Sequence, residues 1–167
     1  MEFIFSQVCV ILAMLFLALT YISKDKNRIL VFCVISSIMY ATQYLLLDAY
    51  TGMIVNMISV VRAIWFFINN KVKKENSLYS LILLEMLFLA SSIITWNGFI
   101  SIFPLIACLL FTYSIWQKNI KLYKWIALPV SFLWIIYNVL VGSVFGYISE
   151  GILLLVEIIG VITYYNK

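Results

Sequence analysis

Apolar residues run along this chain in long, nearly unbroken blocks, and polar or charged residues gather in short clusters between them. Seven such blocks fall at 3–22, 29–47, 52–69, 77–95, 99–117, 124–141 and 145–165. A hydrocarbon core of about 30 Å takes roughly 20 helical residues at about 1.5 Å each, so every block is long enough to cross a membrane once. Barrel strands would alternate apolar and polar residues over about ten positions, whereas continuous runs predict helices. The breaks at Asp48–Thr51, Trp96–Gly98 and Gly142–Val144 are so short that blocks 2 and 3, 4 and 5, and 6 and 7 are expected to be antiparallel neighbours.

The pattern repeats. Laying residues 1–73 on 95–167 without a gap aligns twelve identical residues, among them Lys24 with Lys118, Ser37 with Ser131 and Gly52 with Gly146. Blocks 1–3 then map on blocks 5–7 with every connection in register, and block 4 is left over. The expected fold is therefore an all-α integral membrane protein of seven transmembrane helices in a 3+1+3 arrangement. Residues 1–73 form a first three-helix repeat, 74–96 a linker helix and 97–167 a second repeat. Each repeat begins and ends on the same sides, which makes the two parallel.

Composition agrees: with 65% hydrophobic and 11% charged residues, the chain has too few polar groups to cover a soluble domain. A net charge of +4 raises the question of nucleic acid, but the placement of the cations answers it differently. Lys24, Lys26 and Arg28 follow block 1, Lys71, Lys73 and Lys74 follow block 3, Lys118, Lys121 and Lys124 follow block 5, and Lys167 ends the chain. The intervening connections carry none, so the positive excess of cytoplasmic loops places the N-terminus outside and the C-terminus in the cytoplasm. Block 1 has Glu2 in place of a basic leader and no small-residue cleavage site, so it reads as a retained helix rather than a signal peptide. Cys9, Cys33 and Cys108 lie in separate blocks and there is no histidine, so neither a disulfide framework nor a metal site is expected, and no cofactor.

Several groups do not belong in lipid. Arg62, Glu85, Glu150 and Glu157 sit inside blocks, at a cost of about 2.5–3.5 kcal/mol each on insertion scales unless paired or hydrated. Glu150 and Glu157 share a helical face with Gly146 and Gly160, and the matching face of block 3 carries Gly52, Asn56 and Ala63. Blocks 2 and 6 add a stripe of Ser36, Tyr40, Gln43 and Tyr44, and of Trp134, Tyr137 and Asn138. These faces are expected to meet around a central site. Tyr40 and Trp134 would be its stacking walls, and Gln43, Asn56, Asn138 and Glu150 its polar groups. Arg62 needs a partner, either Glu85 or Glu157, and the sequence leaves both open.

Two runs, WIIYNVLVGSVFGYISEG and YLLLDAYTGMIVNMISVVR, together with Gln7, resemble the YgjV family of bacterial inner membrane proteins over nearly the whole chain. Asp48 stands where that family is expected to have glycine. The three-plus-one-plus-three plan is, more remotely, similar to the SWEET, PQ-loop and PnuC-like solute transporters, which implies a pathway between the halves. Pro104 and Pro129 match their pathway prolines, whereas Val10 and Ile35 stand at the equivalent positions of the first half.

Paired glutamates alone, without histidine or an activated nucleophile, do not make an enzyme. The expected function is transport of a small neutral or cationic solute, with protonation of Glu150 or Glu157 as a means of coupling. A membrane protein that binds a ligand or partner helix without moving it is the alternative. Partners are then a small solute and the bilayer, with self-association open and nucleic acid excluded.

Overall fold

The computed structural model describes residues 2–46, 50–96, 98–140 and 144–165. The turns expected at Asp48–Thr51, Trp96–Gly98 and Gly142–Val144 lie partly outside these residues, and Lys167 lies wholly outside. Among the described residues the chain is helical throughout: α1 (Glu2–Ile22), α2 (Lys26–Leu46), α3 (Tyr50–Lys71), α4 (Leu78–Ile94), α5 (Ile102–Trp116), α6 (Ile120–Leu140) and α7 (Val144–Tyr165). A 3-10 turn at Gly98–Ser101 leads into α5. Six helices are long and apolar enough to cross a membrane, and α4, at 17 residues, is a shorter apolar seventh.

Helices α2 and α6 start three to four residues earlier than the apolar blocks do, because their first turns are capped by side chains. The Asp25 carboxylate accepts from the Arg28 amide at 2.8 Å, and Asn119 Oδ1 accepts from the amides of Lys121 and Leu122 at 3.0 and 3.3 Å. Such caps satisfy amides that have no partner within the helix. Ahead of them, Ser23 Oγ and Gln117 Oε1 accept from the amides of Asp25 and Asn119. Lys124, expected in a connection, thereby falls inside α6, where it is 2% exposed.

Each helix packs on its sequence neighbours in the series α1–α2–α3 and α5–α6–α7. Helix α7 returns to α1, α3 touches α5, and α4 lies against α3 and α5, so six helices close a ring with α4 outside it. Gly160 makes the α7–α1 approach feasible: a Cβ there would come within 2.5 Å of the Tyr21 carbonyl oxygen.

The connections after α1, α3 and α5 meet at one end. Lys26 Nζ donates to the Gln117 carbonyl at 2.8 Å, Asn70 Nδ2 to Asn27 Oδ1 at 2.8 Å and Asn76 Nδ2 to the Trp116 carbonyl at 2.9 Å. Lys118 and Glu75 form a salt bridge of 2.8 Å there, the one ion pair among the described residues. This basic end is also where the core is densest. Ile29, Leu30, Phe66, Ile115, Tyr123 and Ala127 are all fully buried in one cluster.

Candidate functional site

Away from the basic end the ring is hollow. On α2, Tyr40, Gln43 and Tyr44 follow one another at spacings of three and four, and Trp134, Tyr137 and Asn138 do the same on α6, so each set occupies one helical face. With Asn56, Ser59 and Arg62 of α3 and Gly146, Ser149 and Glu150 of α7, these faces enclose a cavity of about 530 Å³. Helix α1 contributes Gln7, Val10, Leu17 and Tyr21, and α5 contributes Ala107, Cys108 and Phe111; α4 contributes nothing. The structure thus brings Tyr40, Gln43, Asn56, Trp134, Asn138 and Glu150 to one cavity. Glu157 and Glu85 do not line it.

The walls are aromatic: Trp134 and Tyr137 meet edge to face, 5.7 Å between centroids at 84°. The polar atoms are under-used. Among the described residues Tyr40 Oη and Gln43 Oε1 are buried without a hydrogen-bond partner, and Glu150 makes neither hydrogen bond nor salt bridge. A polar atom left alone in an apolar interior costs about 1–3 kcal/mol, more if charged, so this cavity suits water or a hydrogen-bonding solute better than emptiness.

Arg62, 3% exposed, lies at the deep side of the cavity. Its Nη1 donates to Thr112 Oγ1 at 2.8 Å, and its guanidinium carbon lies 5.2 Å from the ring centroids of both Phe88 on α4 and Phe111 on α5. Neither Glu85 nor Glu157 forms a salt bridge with it. Glu157 is 1% exposed and accepts from Ser131 Oγ at 2.5 Å, and Glu85 is half-buried on α4. Among the described residues Arg62 is thus in salt-bridge contact with neither of the two carboxylates that the sequence offers as its partner.

Below Arg62 the cavity ends on a floor that sequence reasoning did not single out. Tyr21 and Tyr123 stack at 6.0 Å, Tyr123 Oη donates to Thr20 Oγ1 at 2.6 Å, and Lys124 Nζ donates to the Tyr21 carbonyl. Tyr and Thr at the ends of apolar blocks read as interfacial residues, and only their shared position within four residues of a basic cluster hinted at a joint. Cys33 and Cys108 are free thiols in the cavity wall, and Cys9 is buried in α1.

Compared with known proteins, the chain matches over residues 4–167 a family described as Imp-YgjV, bacterial inner membrane protein. No curated protein and no solved structure matches it.

Proposed function

The chain belongs to this family of bacterial inner membrane proteins, and on that premise we propose that it is a SWEET-like transporter of a small solute, which binds in the central cavity. One observation carries the reading: six aromatic and polar residues from four membrane helices face one cavity of about 530 Å³, with buried polar atoms that have no hydrogen-bond partner among the described residues. Cavities of this kind between repeats are where such transporters hold substrate. The two halves are read as parallel three-helix repeats joined by α4. In support, the bounds of α2 and α6, 26–46 and 120–140, differ by 94 at both ends, as do the capping residues Asp25 and Asn119.

The basic end is read as cytoplasmic. A cysteine introduced at Asn119 on a cysteine-free background is then protected from an impermeant thiol reagent in sealed cells, and one at Asn97 is labelled. Labelling at 119 reverses the orientation.

The deciding measurement is solute flux into liposomes that contain only this protein, with Glu150→Gln and Trp134→Ala as controls. Flux that neither substitution lowers removes the cavity from the pathway. The packed floor of Tyr21 and Tyr123 favours a second reading, in which the cavity opens to one side and holds its ligand without passing it on. Saturable binding without flux in the same liposomes selects that reading.

A further inference from the structure

Arg62 carries a consequence for what the cavity holds. A guanidinium has five N–H donors, and bare burial of its charge is among the costliest events in a membrane interior. Here the fully buried group has a single hydrogen bond, to Thr112, two ring faces, and an Nε without any partner. Aromatic faces offset part of the desolvation but leave in-plane donors unanswered, and an in-plane fork is the geometry that suits a carboxylate or phosphate. Among the described residues no carboxylate pairs with it, yet it lines the cavity. At the other side of the same cavity lies Glu150, an acid that forms no salt bridge among the described residues.

These two charges are set apart along the pathway. Asn56 and Glu150 are each the seventh residue of their helices, α3 and α7, and Arg62 lies six residues, or about 9 Å of helix rise, beyond Asn56 toward the basic end. Tyr40, Trp134 and the Gln43 carbonyl oxygen, which has no partner among the described residues, line the same cavity. We infer that the cavity takes a small zwitterion, with its cationic group at Glu150 and its carboxylate-class group at the guanidinium of Arg62. This rests on the central-site reading above and narrows it. Net neutrality of the solute is kept, and each end of the solute supplies the counter-charge that the described residues do not provide. Solutes with an ammonium and a carboxylate several bonds apart fit the spacing better than those with both on one carbon.

The test uses the intact protein in detergent and a matched series, δ-aminovalerate, valerate, pentylamine and pentanediol, with binding read by calorimetry. The zwitterion is expected to bind about tenfold or more tightly than any of the other three, since each charged contact removed forfeits a charge-assisted hydrogen bond. Arg62→Gln should erase the advantage of δ-aminovalerate over pentylamine, and Glu150→Gln its advantage over valerate. Arg62→Lys, which keeps the charge without the fork, should retain part of the first; should Arg62→Gln fail to fold, that variant and the wild-type series decide the matter. A zwitterion that binds no better than pentylamine or pentanediol, or no binding by any of the four, overturns the inference. Zwitterion binding without flux in liposomes would sustain it while sinking transport, and flux of the diol or amine without zwitterion preference would do the reverse.

Discussion

The same six helices make two unlike halves. Toward the basic end they meet on Ile29, Leu30, Phe66, Ile115 and Tyr123, with almost no accessible surface left. Toward the far end they stand apart around Tyr40, Gln43, Trp134, Asn138 and Glu150 and leave about 530 Å³ unfilled. Packing density at one end makes it feasible to keep polar groups short of partners at the other. The ring is held where it is dense, so the hollow half is free to carry chemistry that a core would reject.

Substitutions that shrink a side chain separate the halves most sharply. Phe66→Ala is expected to cost about 3–5 kcal/mol, because it leaves a void in a packed site. Trp134→Ala, at the rim of a space already open, should cost clearly less in thermal unfolding in detergent. Equal losses would mean that the two halves are not different in kind.

A smaller effect compares two glycines of α7. Gly160→Ala drives a methyl into the Tyr21 carbonyl and should destabilise by about 1–3 kcal/mol. Nothing lies within 4 Å of a Cβ at Gly151, so Gly151→Ala should leave stability unchanged or raise it by up to about 1 kcal/mol through helix propensity. A neutral Gly160→Ala would show that α1 and α7 yield readily at the dense end.

Arg62 stands at the border of the halves, and its coupling to the carboxylates is expected to be smaller still. Arg62→Gln combined with Glu85→Gln or Glu157→Gln should be additive within about 0.5 kcal/mol, since neither pair is in contact. A double variant that recovers stability would restore an ion pair that this geometry lacks.

The least effect belongs to Glu75 and Lys118 in the connections. The hydrogen bond from Lys118, and then its charge, hold the Glu75 carboxyl below its ordinary range. A depressed carboxyl contributes its stability above the unfolded value, about pH 4.3, and loses it as pH falls through the folded one. Glu75→Gln should therefore differ from the parent by little at neutral pH, by less in high salt, and not at all in strong acid. A large difference at neutral pH would assign the connections a structural share that exposed ion pairs rarely have.

What the sequence made legible follows from two periodicities. Apolar run length located α1 to α7 to within a few residues, and the three-to-four spacing of Tyr40, Gln43, Trp134 and Asn138 put them on shared faces. Boundaries failed where caps, not hydropathy, start a helix, as at Asp25 and Asn119. Arg62 was legible as anomalous but not in its surroundings. Charge alone suggests a carboxylate, whereas Thr112, Phe88 and Phe111 are ordinary apolar-block residues until α4 and α5 are folded against α3. Lys124 counted as a loop cation for the same reason: only the α1–α7 approach at Gly160 reveals the Tyr21 carbonyl that receives it.

The dense end also sets an order of events in time. Its links join residues far apart in the chain: 91 positions from Lys26 to Gln117, and 103 from Thr20 to Tyr123. At about 5–20 residues per second of synthesis, Lys26 waits roughly 5–18 s for its acceptor to be made. During that interval the first helices are in the bilayer with one end of their ring unfastened. A nascent chain arrested before residue 117 should then expose this unfinished end to quality-control proteases, and the full-length chain should resist them.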